Sequence, residues 1–509
     1  MREVLPYGPM RPSSRFVVVA GVFLVALTPV RAPAQASPYI PLDDTRLPLL
    51  EHLIARGDIE DPSPMIRPFR RADAARVLAA ADTAGEGASA SVIRALRAEF
   101  EDPSGSQWRV AGRAGAQAFS HIRRDVLHPL GPDGVRPYAD FTGEAVFGEF
   151  ALVSRVAAEP RVADDPEWPG RTDLELIWRF PEAYIGAQFK YINLFYGQMD
   201  RNWGPPVVDG IGVSDYAYSE ADVGFDVGTE TLRLYALARG LPDETDPTGA
   251  RVHRYFFAHR LGLRLSDRLQ LGVWETTVLA GTDREFDARY RNPVTLLLLG
   301  NQFGLGNDGN VMFGLDAQWR VGGRVLLEAQ VGIDDLQYED TPGQDSKLNR
   351  YAFTLAASGP LAQRFAWRAF YTQASSLAFR SLVPFENFTT SDVGLGRNFV
   401  DQDQVTVTVS APAGIRWLLT PELTLLRQGE GRLTDPIPAG PVPTLFIGMV
   451  EKTWRAALGI SGRQGPLEVQ ANAGFHHVVN AGNEEGRTVD RFEGRLQATL
   501  GLSRRGALR

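Results

Sequence analysis

The sequence of 509 residues contains no cysteine. That absence excludes disulfides, thiolate metal sites and cysteine nucleophiles, and with them lipid-anchored export, which needs a cysteine at the mature N-terminus. Long apolar runs are missing from the body of the chain as well. The greasiest stretch, Thr295 to Leu299, has five residues, where a membrane helix needs about 20. A basic surface is also lacking: the formal charge is −8, with no basic cluster interleaved with aromatics, which argues against nucleic acid as a partner. A mean hydropathy of −0.17 excludes a bundle of transmembrane helices. It leaves a transmembrane barrel open, because lipid-facing and lumen-facing residues alternate and cancel in an average. Abundant instead are 51 glycines and 34 prolines, the residues of tight connections.

The N-terminus reads as an export signal. Arg11 and Arg15 precede an apolar run from Phe16 to Val30, and Ala34-Gln35-Ala36 offers small residues for cleavage before Ser37. A basic start, a run of this length and an A-x-A end are the parts of a secretory signal peptide, expected over residues 1–36. Four arginines against Glu3 give that piece a charge of +3, so the mature chain carries −11.

From Asp44 to Asp102 the spacing is helical. Leu47, Leu50, Leu53 and Ile54 share one face, and Gly57 is a stop signal. Ala72 to Ala81 is alanine-rich and of high helix propensity. Ser89 to Phe100 sets Val92, Ile93, Leu96 and Phe100 on one stripe. Three short helices bury too little alone, so a periplasmic segment spanning 37–104 is expected to dock on the rim of a larger body; an independent binding module is the alternative.

Beyond Gln107 the pattern alternates with period two. Val311, Phe313, Leu315, Ala317, Trp319 and Val321 oppose Met312, Gly314, Asp316, Gln318 and Arg320, and Val325 to Ile333 repeats the rhythm after a tight turn at Gly322-Gly323. Similar runs cover Asp173 to Arg179, Gln404 to Ser410, Thr453 to Ile460 and Arg491 to Leu502, the last read as a closing strand followed by a short tail. Polar loops are expected at 158–171, 242–250, 338–349 and 480–488. The polar phase is rich in full charges, which suits a wet lumen opposite a lipid-facing apolar phase. Roughly 400 residues at about 22 per strand and loop predict an all-β transmembrane barrel of about 16–18 antiparallel strands over 105–509, with the small helical segment before it.

Catalytic and metal motifs are weak. Gly304 to Gly309 has the letters of a dinucleotide fingerprint but precedes a strand instead of a helix. His476 and His477 are neighbours on a strand and point to opposite faces, so they cannot share a metal. Asp334-Asp335 and Glu339-Asp340 read as solvated strand ends. No metal, cofactor or enzymatic activity is expected. The most distinctive stretch runs from Tyr196 to Pro206. Its Asp200, Arg201, Asn202 and Trp203 combine an apolar face with bidentate hydrogen-bonding groups. They are either ligand-binding residues for a sugar or a plug in which an ion pair and the indole fill the lumen.

Three stretches together resemble the capsule-assembly outer-membrane family (Wzi-like): Tyr39, Pro41-Leu42-Asp43 and the helix ending at Gly57, with Arg67-Pro68 and Arg70-Arg71; Gly197-Gln198 with Asn202-Trp203-Gly204-Pro205; and Asn310 through Gly314, Asp316 and Glu328 to Asp334-Asp335. The resemblance implies a large monomeric barrel of about eighteen strands in the outer membrane, in contact with its lipid. It also implies a non-enzymatic, lectin-like role in binding or organising surface (capsular) polysaccharide. The alternative is an outer-membrane channel for small polar solutes.

Overall fold

The computed structural model describes residues 35–81, 83, 88–101, 105–286, 309–335, 350–362, 364–438 and 440–508. Residues 1–34 of the expected signal peptide, the Thr295–Leu299 run, the loop Gly304–Asp308 and Glu339-Asp340 lie outside the described residues.

Eighteen strands form the body: β1 Gln107–Phe119, β2 Gly134–Phe147, β3 Phe150–Ala158, β4 Trp178–Gln188, β5 Ile192–Gln198, β6 Ala221–Gly228, β7 Leu232–Thr245, β8 Arg251–Ser266 and β9 Leu269–Gly281. The second half comprises β10 Asn310–Val321, β11 Val325–Asp335, β12 Arg350–Leu361, β13 Phe365–Ala374, β14 Gln402–Ala413, β15 Trp417–Gln428, β16 Glu451–Gln464, β17 Leu467–Val479 and β18 Thr488–Ala507. Each pairs antiparallel with the next, and β1 pairs with β18 from Gln107↔Ala507 to Phe119↔Arg495, closing the barrel. Closure leaves no edge and satisfies every ladder, the condition for strands in lipid.

The side chains are inverted relative to a soluble sheet. Leu315 is 47% exposed and its neighbour Asp316 only 5%; Phe475 is 69% exposed and His476 only 1%. Phe141, Val223, Leu355, Val407, Leu423 and Trp454 continue the outward apolar band, while Gln318, Glu328, Gln330, Thr354 and Thr406 are buried inside. An exposed apolar band of this extent is a lipid-facing surface. Among the described residues no helix is long and apolar enough to cross a membrane.

Three sequence expectations need correction. Leu174 to Ile177 is loop: β3 ends at Ala158, opposite Trp178, and after one further bond, Glu159 N–H to the Ile177 carbonyl at 2.9 Å, the neighbouring chain turns into a 3-10 helix at Pro160. Residues 242–245 belong to β7, held by the pairs Thr245↔Arg251 and Glu244↔Val252. The residues after Leu502 are no tail, because β1 supplies partners as far as Ala507.

Connections alternate in length. Those after β2, β4, β6, β8, β10, β12, β14 and β16 have two or three residues, and those at the opposite end are longer, among them the 27 of segment 375–401. Short turns mark the periplasmic end of such barrels. The three N-terminal helices sit at that end: α1 Leu47–Arg56, α2 Arg71–Ala80 and α3 Ala88–Phe100. Gly57 ends α1 with φ +78°, the left-handed cap that sends its N–H back to Ile54. The helices share one apolar core, and Leu326 and Leu418 of the barrel wall complete it. Polar ties fix the docking: His52 Nδ1 lies 2.6 Å from Ser410 Oγ, Arg320 donates to the Ile54 carbonyl at 2.6 Å, and Arg56 to the Phe365 carbonyl at 2.7 Å. Nearby, Asp43 accepts from both ends of the Arg155 guanidinium at 2.8 and 2.6 Å. Burial pushes the Asp43 carboxyl up, but Arg155 and Arg113 outweigh it and hold the group well below the usual carboxylate range.

Candidate functional site

Inside the barrel, segment 199–220 turns back from the long-loop end and fills the lumen. Asn202 organises the turn with its side chain, donating to the Val208 carbonyl at 3.2 Å and accepting from Gly210 N–H at 2.6 Å. Trp203 N–H donates to the Val213 carbonyl at 3.0 Å. Gln330 on β11 clamps both limbs: its amide donates to the Trp203 carbonyl at 2.8 Å and accepts from Ile211 N–H at 3.0 Å.

The plug also meets the N-terminal segment. Ile66 pairs with Trp203 and Arg67 with Asn202, a two-residue antiparallel ladder within the lumen, and Gly204 N–H donates to the Met65 carbonyl at 2.8 Å. A second inward loop, 375–401, locks onto the first: Ser214 N–H donates to the Leu395 carbonyl at 3.0 Å, and Arg397 reaches the Asp209 carbonyl at 2.7 Å and Thr354 Oγ1 at 3.1 Å. Ile66, Trp203, Ile211, Val213, Phe379 and Leu395 form one apolar core with wall residues such as Phe256, Trp274 and Met312. Buried apolar contact on this scale, with the backbone groups paired, holds the segments as packed structure.

The four residues singled out by sequence separate into two settings. Asn202 and Trp203 are buried in the plug. Arg201 does not pair with Asp200; it donates to Asp222 Oδ1 at 3.0 Å and lies 4.1 Å over the Phe195 ring. Asp200 is pushed up to about 7 by burial and then by the charge of Asp215, against Arg124 and Arg179. Asp209 and Asp215 are each pushed up to about 6, first by burial, with Asp209 adding to the rise of Asp215. Of the carboxylates considered as a pair, Asp334 accepts from the Phe379 N–H at 3.1 Å, a structural tie to loop 375–401. His476 is buried in the lumen, accepting from Arg455 at 2.8 Å, whereas His477 faces out beside Asp490.

A cluster that sequence reasoning missed sits where four long loops converge. The ring of Phe399 stacks on His128 at 3.5 Å, meets Tyr216 edge-on at 5.6 Å, and lies 5.7 Å from the Arg123 guanidinium. Glu167 gathers Arg123 at 3.0 Å and the Tyr216 hydroxyl at 3.0 Å, and Asp125 holds His128 Nδ1 at 2.7 Å. Burial is the larger influence on Glu167 and raises its carboxyl despite Arg123. Flat rings bordered by fixed bidentate polar groups suit a hydroxyl-rich ring that offers one apolar face. The members are scattered between residues 123 and 399, so no local motif announces them.

No family model and no curated protein matches the sequence. Solved structures do match. Wzi, an outer-membrane protein involved in group 1 capsule assembly in Escherichia coli and described as a carbohydrate-binding β-barrel, superposes with a TM-score of 0.63 at 14% identity, over 92% of this chain and 99% of that one. OprD of Pseudomonas aeruginosa gives 0.42 at 12% identity over 78% and 95%. The outer-membrane channel DcaP of Acinetobacter baumannii gives 0.37 at 12% over 79% and 99%. With an apolar outer band, a closed ring of eighteen strands and helices at the short-turn mouth, the chain is an outer-membrane β-barrel built on the fold that Wzi has.

Proposed function

We propose that this protein binds or organises surface polysaccharide as a non-enzymatic, lectin-like barrel, exported by its N-terminal signal and working as a monomer in outer-membrane lipid. The observation that carries the reading is the filled lumen. Segments 61–67, 199–220 and 375–401 are bonded to one another and to the wall, an arrangement that serves display of the loop end better than passage of solute. The Phe399, Tyr216 and His128 cluster supplies a stacking surface, with Glu167 and Arg123 as fixed hydrogen-bonding partners. Capsular polymer is the partner favoured by the likeness to Wzi, and Asp200 to Trp203 act in this reading mainly by holding the plug.

The test is a deletion strain probed by surface immunolabelling of each cell-surface glycan. Loss of one glycan from the cells, restored by the wild-type gene and not by Phe399→Ala together with Glu167→Gln, is the expected result. Unchanged retention of every glycan would remove the proposal.

A further inference from the structure

A cavity of about 700 Å³ lies at the short-turn end, between the N-terminal segment and the wall formed by β5 to β9. Its rim is made of turn residues, Lys190 and Tyr191 on one side and Thr229 to Thr231 on the other, with Pro62 to Pro64 and Arg76 of the helical segment opposite. Its inner end is closed by Trp203 and Arg201 of the plug. The cavity therefore opens to the periplasm and is separated by the plug from the cluster around Phe399. Its volume is that of a site for a small organic ligand.

The lining is specific. Tyr39, Phe195, Trp203 and Tyr235 contribute aromatic surface, with Tyr39 edge-on to Phe195 at 6.4 Å and Tyr235 edge-on to Trp203 at 6.4 Å. The cations of the inner wall already have acids: Arg67 with Glu51 at 2.6 Å, Arg70 with Asp73 at 2.7 Å, Arg201 with Asp222 at 3.0 Å, Arg264 with Glu60 at 2.7 Å, and Arg233 with Asp226, whereas at the rim Arg76 shares Asp73 at 3.9 Å and Lys190 lies 4.8 Å from the Tyr191 ring. Among the described residues, pairing neutralises the inner wall and leaves the free positive charge, Lys190 and Arg76, at the rim, and it fixes many donors and acceptors around the aromatic rings. One acceptor is left over. Asn193 is only 8% exposed and faces the cavity; its Nδ2 donates to Asp226 at 2.8 Å, while its buried Oδ1 has no hydrogen-bond partner. An unmet buried acceptor costs about 1–3 kcal/mol, so a hydroxyl donor delivered by a ligand is favoured there.

We infer that this vestibule is a second glycan site, facing the periplasm and taking a short, uncharged, hydroxyl-rich oligosaccharide, with Asn193 as acceptor and Tyr235 and Tyr39 as apolar faces. The inference rests on the reading of the protein as a glycan-binding barrel, and it adds a place where a chain is held on the inner side of the plug.

The full-length protein in detergent is titrated calorimetrically with neutral gluco-, galacto- and manno-oligosaccharides of three to five residues and with uronic-acid oligosaccharides of equal length. Heat-modifiable gel mobility confirms folding of each variant. Expected is binding of a neutral oligosaccharide that Asn193→Leu and Tyr235→Ala weaken at least tenfold and Phe399→Ala leaves unchanged. Thr231→Trp, in the exposed turn at the rim, blocks entry without touching the buried wall and gives the same loss if the wall variants do not fold. Binding that only Phe399→Ala abolishes overturns the vestibule site while leaving the surface-glycan reading intact. Binding of the uronic-acid series alone, or of no oligosaccharide, overturns it as well.

Discussion

Charges inside this barrel are arranged one residue at a time. Arg260 on β8 and Asp316 on β10 are not on adjacent strands; the guanidinium crosses β9 at Gly272 and meets both carboxylate oxygens, at 2.8 and 2.6 Å. Only glycine allows that crossing, because a Cβ at 272 would sit 2.3 Å from Asp316 Oδ1. Both side chains are sealed from solvent, at 0% and 1% exposure. Breaking such a pair from one side leaves a buried charge and costs about 3–5 kcal/mol, whereas replacing both partners with apolar groups is close to neutral. Arg260→Leu is thus expected to lower stability by about that amount in urea titration of the detergent-solubilised barrel, and Arg260→Leu with Asp316→Leu to recover most of it. Equal losses in the single and double variants would show that packing, not the uncompensated charge, sets the cost.

At the scale of elements, the helical segment and the plug respond to pH with opposite slopes. His52 on α1 is held down to about 4 by burial first and then by Arg56 and Arg368. Between pH 6.5 and 4 the released segment binds the proton and the docked one does not, so docking weakens as pH falls through that window and is flat below it. Limited proteolysis of the helical segment should accelerate from pH 7 to pH 4 in the wild type and change less in His52→Gln; identical profiles would remove His52 from the account. The plug behaves the other way. Asp200, Asp209 and Asp215 are raised to about 7, 6 and 6, so the folded plug keeps protons that the released loop has lost, and stability falls as pH rises from about 4 to 7. Asp200→Asn with Asp215→Asn should raise the midpoint of thermal unfolding at pH 8, and the gain should vanish near pH 4. A gain independent of pH would contradict the linkage.

These elements were unequally legible. The helices show in the sequence because Leu50, Leu53 and Ile54, and again Val92, Ile93 and Leu96, repeat at helical spacing and end at signals such as Gly57. The strands show because lipid and lumen impose different chemistry on alternate residues, as in Val311 to Val321. The run Leu174 to Leu176 has the same rhythm but lies beyond the point where the neighbouring chain turns away at Pro160, and a rhythm alone does not supply a partner. The direction in which loops 199–220 and 375–401 fold, and the meeting of His128, Tyr216 and Phe399, depend on contacts between residues far apart in the chain. Gln330 shows why: its strand is evident from alternation, but its grip on Trp203 and Ile211 is a matter of three-dimensional register. The stretch at Asp200 to Trp203 is distinctive in the sequence, but sequence alone left open whether it contacts a ligand or fills the lumen.

For the whole molecule, the filled lumen determines what a planar bilayer should record. Two covers lie in series: the helical segment at the periplasmic mouth and the folded loops within, joined by the Ile66–Trp203 ladder. Removing residues 203–213 frees the loop side but leaves α1 tied to the wall through Ser410 and Phe365. Removing 37–104 uncovers the mouth but leaves the loop clamped by Gln330 and Arg397. Each single deletion is therefore expected to give at most brief openings, and the double deletion a steady current through a lumen lined by the polar phase of the strands. Wild-type protein is expected to be silent. Steady current from the intact barrel would mean that these segments leave a continuous wet path, and the assignment to glycan display would give way to solute transport.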